Sequence, residues 1–351
     1  MVKGNPFSKI KLMPGSGDDI FKIALNRAKR METKSPVRWS SAKRSITVTQ
    51  NYIKTLHENI VKRIKESIYS VPKIDELDDF YRELAYVVVN MDDFKKSMGK
   101  VMACIKILDK LRQEYLIKSR RIVDVKDAKK LRREYTGRVY SVVKSINEEL
   151  IRIREYQKIL KKLPSIDPSL PTIVIAGVPN VGKSTLVNAI SSARSEVASY
   201  PFTTKKLTIG HIRLEPENIL IQVIDTPGLL DRPLSERNKM ELQAILALKH
   251  LIGIIVYMID PSETCGFTIN YQFKVLSEIS TYFKDKEIVI AINKIDIFDN
   301  KGPSIQHILK DLENKSYQKI FLISALKKIS IDYLKEYLVS TIRYDVLKST
   351  K

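Results

Sequence analysis

Residues 177–185 read Gly-Val-Pro-Asn-Val-Gly-Lys-Ser-Thr, a spacing of glycines, lysine and hydroxyl that suits phosphate binding. Gly177 and Gly182 permit backbone angles and a close approach that a Cβ would forbid. Between them Val178, Pro179, Asn180 and Val181 make a turn whose N–H groups would point at phosphate oxygens. The N-terminus of a following helix adds partial positive charge. Lys183 would reach the β- and γ-phosphates, Ser184 would complete a Mg²⁺ site, and Thr185 continues into the helix. The plain alternative is a Gly-rich turn with a chance lysine, and the flanks weigh against it. Thr172 to Ala176, just before, is a mostly apolar run rich in β-branched residues, a buried-strand signal. Leu186, Val187 and Ile190, just after, follow helical spacing. Strand, loop and helix are the context a phosphate loop requires.

Three further loops complete a guanine nucleotide site. Asp225-Thr226-Pro227-Gly228 follows the apolar run Ile219–Ile224, at a strand's carboxyl end. There Asp225 would hold Mg²⁺ through water and the Gly228 N–H would sense a γ-phosphate. Asn293-Lys294-Ile295-Asp296 follows the strand Glu287–Ile292. Asp296 would accept from guanine N1–H and N2–H₂, which adenine does not supply, and Asn293 would tie this loop to the phosphate loop. Ser324-Ala325-Leu326 would place a backbone N–H against guanine O6. Tyr200-Pro201-Phe202-Thr203-Thr204-Lys205 is a switch segment, in which Thr204, with Thr203 as the alternative, would join the Mg²⁺ only when the γ-phosphate is present. The assigned catalytic set is Lys183, Thr204, Gly228 and Asn180; the metal ligands are Ser184, Thr204 and Asp225.

The charge of the chain is uneven. Its 351 residues carry a net charge of +21, and residues 1–170 hold 38 Lys and Arg against 21 Asp and Glu. The remainder has 23 against 19, so the surplus belongs to the first half. A basic module joined to a near-neutral one implies a polyanionic partner, against the plainer reading of a lysine-rich solvated surface. Lys118, Arg120, Arg121, Lys126, Lys129, Lys130, Arg132 and Arg133 crowd one helix junction and suit phosphate backbone. Trp39, beside Arg38, is read first as a core anchor and second as a base-stacking platform. The longest apolar run, near Leu251–Ile259, is too short to span a bilayer, and no apolar leader opens the chain. Cys104 and Cys265 make no disulfide framework, so a reducing, cytoplasmic setting is expected; the chain is also expected to act away from membranes and as a monomer.

Residues 1–163 read as an all-α basic bundle. The first long helix ends by Pro72, a second covers Asp75 to Asn90 and a third Asp92 to about Arg121. A fourth runs unbroken from about Val125 to Leu163. Pro164–Pro171, with three prolines, reads as a linker. From 172 to 351 strands and helices alternate, predicting a doubly wound, mostly parallel α/β sheet with ligand loops at the strands' carboxyl ends.

Together these residues resemble the Nog (nucleolar GTP-binding protein) family of Obg-like GTPases. The resemblance rests on Gly177–Thr185, on Tyr200–Thr204 and on Asp225-Thr226-Pro227-Gly228-Leu229-Leu230-Asp231-Arg232-Pro233. Asp260-Pro261-Ser262-Glu263-Thr264-Cys265-Gly266 and the basic helical N-terminal domain add to it. It implies a P-loop GTPase domain behind a helical bundle, binding GTP and GDP with Mg²⁺. It implies partnership with large ribosomal subunit precursors and their rRNA, in a short form of archaeal type. Leu229 stands where Ras-type enzymes carry the water-orienting Gln, so turnover is expected to be slow alone. By analogy with related GTPases, Asn180 would ligate K⁺; the alternative, that it only caps the turn, stays open. Arg232 is a weaker candidate for charge stabilisation. The rival functions are an Obg-type sensor of nucleotide levels and a static, ribosome-associated GTP-binding module with little turnover.

Overall fold

The computed structural model describes residues 4–30, 40–191, 196–204, 206–216, 219–297 and 305–349. Arg38 and Trp39 lie outside them. The chain divides into two compact units, one of Pro6–Glu76 and Val88–Lys162, the other of Met1–Asn5, Leu77–Val87 and Leu163–Lys351.

Among the described residues the elements of the first unit are helices: α1 (Gly17–Arg30), α2 (Ser41–Tyr69), α4 (Met91–Ser119), α5 (Val125–Lys144) and α6 (Asn147–Lys161). Local chemistry sets their starts. Ser40, Asn90 and Asp124 each accept the N–H three residues on, from Lys43, Asp93 and Asp127, so each cap satisfies an otherwise orphaned donor. Tyr52, Ile53, Leu56, Ile60 and Ile64 give α2 a buried stripe at helical spacing, packed on α4 and α5. The expected single helix from Val125 to Leu163 is two. Ser145 Oγ donates to Val142 O at 2.8 Å, and Asn147 Oδ1 accepts the Gly17 N–H at 2.9 Å. A hydroxyl bonded to a nearby carbonyl competes with the helical ladder. The apolar period survived because Val143, Ile146 and Leu150 stay buried across the break.

The second unit is built on one seven-stranded sheet, in the order β2-β3-β4-β1-β5-β6-β7. Its strands are β1 (Thr172–Ala176), β2 (Glu196–Ala198), β3 (Leu207–Leu214), β4 (Ile219–Asp225), β5 (Ile252–Ile259), β6 (Glu287–Ile292) and β7 (Ile320–Leu322). β4, β1, β5, β6 and β7 run parallel, while β3 pairs antiparallel with β4 and β2 with β3. Every residue of β1 is buried, as a central strand covered on both faces requires. The order steps away from β1 in both directions, so the carboxyl ends of β1, β4, β5 and β6 open on a common crevice. Strand β2 was not expected: three residues, mostly exposed, leave no periodic signal. α7 (Lys183–Ile190), α8 (Lys239–Leu246), α9 (Ile269–Tyr282), α10 (Ile305–Asn314) and α11 (Ile331–Ser349) complete the layers. The helix expected near 236–249 is interrupted, with 3-10 turns at Leu234–Glu236 and Ala247–His250 on either side of α8.

The compact units do not follow a division of the sequence at residue 163. All but the last residue of α3 (Asp79–Val88) belongs to the unit that holds the sheet. The Tyr81 hydroxyl lies 2.9 Å from Pro164 O and 2.7 Å from Ile166 O, and it accepts the Ile166 N–H at 3.0 Å. Beyond it, the Asp167 backbone exchanges two hydrogen bonds with the buried Gln222 side chain on β4. Three prolines in eight residues therefore mark a packed strap, since fixed φ angles stiffen a buried segment as readily as an exposed one.

Candidate functional site

β1 delivers the chain to the phosphate loop and α7 receives it. Gly177 has φ of 136°, and a Cβ there would come within 2.7 Å of Met258 O on β5. Gly182, at 106°, would drive a Cβ into the Asn293 side chain. Both glycines are demanded by close approach and by backbone conformation. Asn180 holds φ of 60°, a left-handed angle that Asn tolerates better than most residues. Lys183 is buried and its ammonium donates to Gly177 O at 2.8 Å and Val178 O at 2.9 Å, closing the loop on itself.

At the end of β4 the Ser184 hydroxyl donates to Asp225 Oδ2. Asp225 is almost wholly buried, and its Oδ1 has no hydrogen-bond partner among the described residues. Burial pushes its pKa up, against the pull of Ser184 and Lys183. An orphaned carboxylate oxygen beside a hydroxyl is hard-donor chemistry and fits a divalent cation. These groups border a cavity of about 530 Å³ that also meets Asn180, Thr185, Lys206 and Asp231.

Thr204 is not brought to this pair. It is exposed and borders a second cavity, of about 470 Å³, together with Pro179, Phe202, Thr203, Gly228 and Arg232. Thr203 stands closer to the sensor loop, since a Cβ on Gly228 would lie 3.7 Å from its Cβ. Tyr200 anchors the segment by donating from its hydroxyl to Ala244 O at 2.7 Å. Leu229 and Leu230 are both buried, and Arg232 is exposed beside Glu241 at 3.5 Å.

The loop after β6 is braced through Asn293 and Lys294. Asn293 Nδ2 donates to Val181 O at 2.8 Å, and its Oδ1 accepts the Ala325 N–H at 2.9 Å. One amide thus joins the phosphate loop, this loop and the Ser324–Leu326 loop. The Ala325 N–H is thereby engaged within the protein. Lys294 donates to Asp260 Oδ2 at 2.7 Å and to Thr264 Oγ1 at 2.9 Å. Burial works to raise the Asp260 pKa, but hydrogen bonds from Lys294, Ser262 and the Cys265 N–H outweigh it and hold it below the usual carboxylate range. The half-buried Asp296 carboxylate makes no hydrogen bond among the described residues.

Sequence reasoning assigned no role to Asp231, Arg237, Asp260 or Gln272. Asp231 Oδ2 accepts the Gly228 N–H at 2.7 Å, and its Oδ1 meets Arg237 Nη2 at 3.1 Å. Buried Gln272 accepts the Asp260 N–H at 2.8 Å and donates to Asp260 O at 3.0 Å. The signal for Asp231 was a carboxylate three residues after Gly228, and for Asp260 its place at the head of the stretch Asp260–Gly266; for Arg237 and Gln272 there was nothing local.

Two family models match the chain in succession, a "NOG1 N-terminal helical domain" over residues 7–167 and a "50S ribosome-binding GTPase" over residues 172–294. A Methanocaldococcus jannaschii protein without assigned function is 41% identical, over 85% of this chain and 83% of its own length. The chain belongs to the Nog family of GTP-binding proteins. Nucleolar GTP-binding protein 1 of Drosophila melanogaster is 32% identical over 94% of this chain but only 50% of its own length. This Nog-family chain spans about half the length of the eukaryotic relatives it matches. A crystal structure of a putative nucleolar GTP-binding protein 1 from Plasmodium falciparum aligns at 37% identity and a TM-score of 0.46. That alignment covers 54% of this chain and 94% of the other. The phosphate loop, the switch segment, Asp225–Pro233, Asn293 and Lys294 fall inside the GTPase match, whereas Asp296 and Ser324–Leu326 lie beyond it. Among the described residues no helix is long and apolar enough to cross a membrane.

Proposed function

We propose that the chain is a GTP-hydrolysing switch acting in the biogenesis of the large ribosomal subunit, gripping ribosomal RNA or its precursor particle through the basic first half. The observation that carries this reading is the Ser184–Asp225 pair, with its orphaned buried oxygen beside a closed phosphate loop, in a chain whose first 170 residues hold most of the positive charge. The description of the matched GTPase model and the names of the relatives point the same way.

In this reading Ser184 and Asp225 hold Mg²⁺, which would neutralise charge on the β- and γ-phosphates. Lys183 exchanges its two loop carbonyls for phosphate oxygens, and the Gly228 N–H turns to the γ-phosphate. Thr204, or its neighbour Thr203, closes from the second cavity, so the segment orders only with the triphosphate. Asp296 reads guanine. K⁺ at Asn180 belongs to the same proposal: the Asn180 amide is exposed on the cavity and makes no hydrogen bond among the described residues. The turn reading also stands, because φ of 60° alone suits Asn.

A second reading rests on Leu229. Buried behind Gly228, it offers no polar group to orient water, which favours a module that holds GTP and rarely turns it over. Multiple-turnover phosphate release in KCl and in NaCl, each with and without large ribosomal subunits, separates the two. The switch predicts stimulation by the subunits, and a K⁺-specific gain assigns Asn180 its role. Slow turnover in all four mixtures, with GTP still bound tightly, sinks the switch in favour of the static module.

A further inference from the structure

We propose that Asp231 is the residue that sets the preference of this site between diphosphate and triphosphate, by occupying the Gly228 N–H until a γ-phosphate displaces it. The inference deepens the guanine nucleotide reading and rests on the Gly228 N–H as the γ-phosphate donor.

The geometry is specific. Asp231 Oδ2 accepts the Gly228 N–H at 2.7 Å, a short charge-assisted hydrogen bond. Gly228 carries φ of 81°, so the N–H is aimed by a backbone conformation that other residues rarely adopt. The carboxylate is held from behind: Arg237 donates from Nη2 to Asp231 Oδ1 at 3.1 Å and to Leu229 O at 2.8 Å. Only 8% of Asp231 is exposed, and the Arg237 side chain is almost wholly buried. Asp231 borders both cavities, the one with Ser184 and Asp225 and the one with Thr203 and Thr204. It therefore stands at the partition that a γ-phosphate would have to reach.

An N–H donates well to one acceptor at a time. While Asp231 holds Gly228, that donor is closed to a terminal phosphate oxygen, and a second anion in the same place adds like-charge repulsion in a partly dry site. A diphosphate has no group there and leaves the contact undisturbed. The triphosphate must push Asp231 aside, which breaks the Gly228 bond and costs Arg237 its carboxylate, leaving Arg237 on Leu229 O and Leu230 O on the Gly177 N–H. The same displacement makes loop geometry depend on the third phosphate, as a differential contact must for a ligand to shift a conformation.

The alternative is a loop staple with no bearing on nucleotide. Equilibrium titration of fluorescent GDP and of a fluorescent non-hydrolysable GTP analogue, with Mg²⁺, decides between them in the full chain and in Asp231→Ala and Asp231→Asn. The Ala variant should bind the triphosphate analogue about tenfold tighter than the original, with GDP affinity within about twofold, and the Asn variant should gain less because its amide oxygen still accepts. A ratio of the two affinities unchanged in both variants overturns the proposal, and a lower melting temperature alone then marks a staple. Weaker binding of the triphosphate alone also overturns it. Failure of the unaltered chain to bind either nucleotide would overturn the guanine reading and this inference with it, an outcome distinct from an unchanged ratio.

Discussion

The two ends of the crevice differ in how complete they are. At the base end the bracing groups are spent: Asn293 uses both ends of its amide, Lys294 is shared by Asp260 and Thr264, and Asp260 is met by Lys294, Ser262 and a backbone N–H, while the Asp296 carboxylate makes no hydrogen bond among the described residues. At the phosphate end groups are idle or lent out. Asp225 Oδ1 is orphaned, Lys183 is parked on its own loop carbonyls, and the Gly228 N–H is held by Asp231. Under the proposed function this end recognises one base in every state, and such a site gains from a rigid scaffold. A site that must respond to a third phosphate keeps contacts that are broken at little cost.

The sharpest way to break this contrast is Asn293→Ala. It strands Val181 O and the Ala325 N–H in a buried place, at about 1–3 kcal/mol for each unsatisfied group. GDP and GTP affinity should fall together, by about 100-fold, with a clear loss in thermal stability. Selective loss of the triphosphate would show that the base end is not the indifferent scaffold described above. Next in size is Asp225→Asn. A neutral amide removes the penalty of burying an unpaired charge, so the nucleotide-free protein should melt higher, by about 1 kcal/mol of stability, while Mg²⁺ ceases to strengthen nucleotide binding. Calorimetry with and without Mg²⁺ reads both; a destabilised variant would mean that the carboxylate is structural.

A smaller effect belongs to Lys294→Ala, which leaves buried Asp260 without its cation and should lower stability by about 1–3 kcal/mol, with GDP and GTP weakened alike. The smallest is a pH effect at the same place. The folded pKa of Asp260 lies below its ordinary value of 3.8, so the unfolded chain binds the proton more readily. Its stabilising contribution is complete above about pH 4 and is lost as the pH falls through the folded value. Melting curves of the original and of Asp260→Asn should converge in acid; a gap that stays constant down to low pH would contradict the assignment.

Much of this site was legible before any coordinates. The glycines at 177 and 182, the Ser184–Asp225 pairing and the Asn293 tie to the phosphate loop each follow from short, ordered stretches at strand ends. The parallel core of the sheet followed from apolar runs alternating with helical spacing. What was misjudged was weakly periodic or non-local. The break at Ser145 hid inside a continuous apolar stripe, and β2 was too short and exposed to register; the bonds of the proline-rich segment to Tyr81 and Gln222, 83 and 55 residues away, carried no local signal.

The sequence alone determined the phosphate loop, the Asn293 tie to it and the strand–helix alternation, because each is a local pattern whose backbone requirements are written in consecutive residues. Tertiary structure alone decided that Arg237 returns to hold Asp231, that Asp260 grips Lys294 across two strands, and that Thr203 rather than Thr204 abuts Gly228. Those outcomes depend on which groups from distant stretches pack and lose water together. That is settled by packing, not by order along the chain.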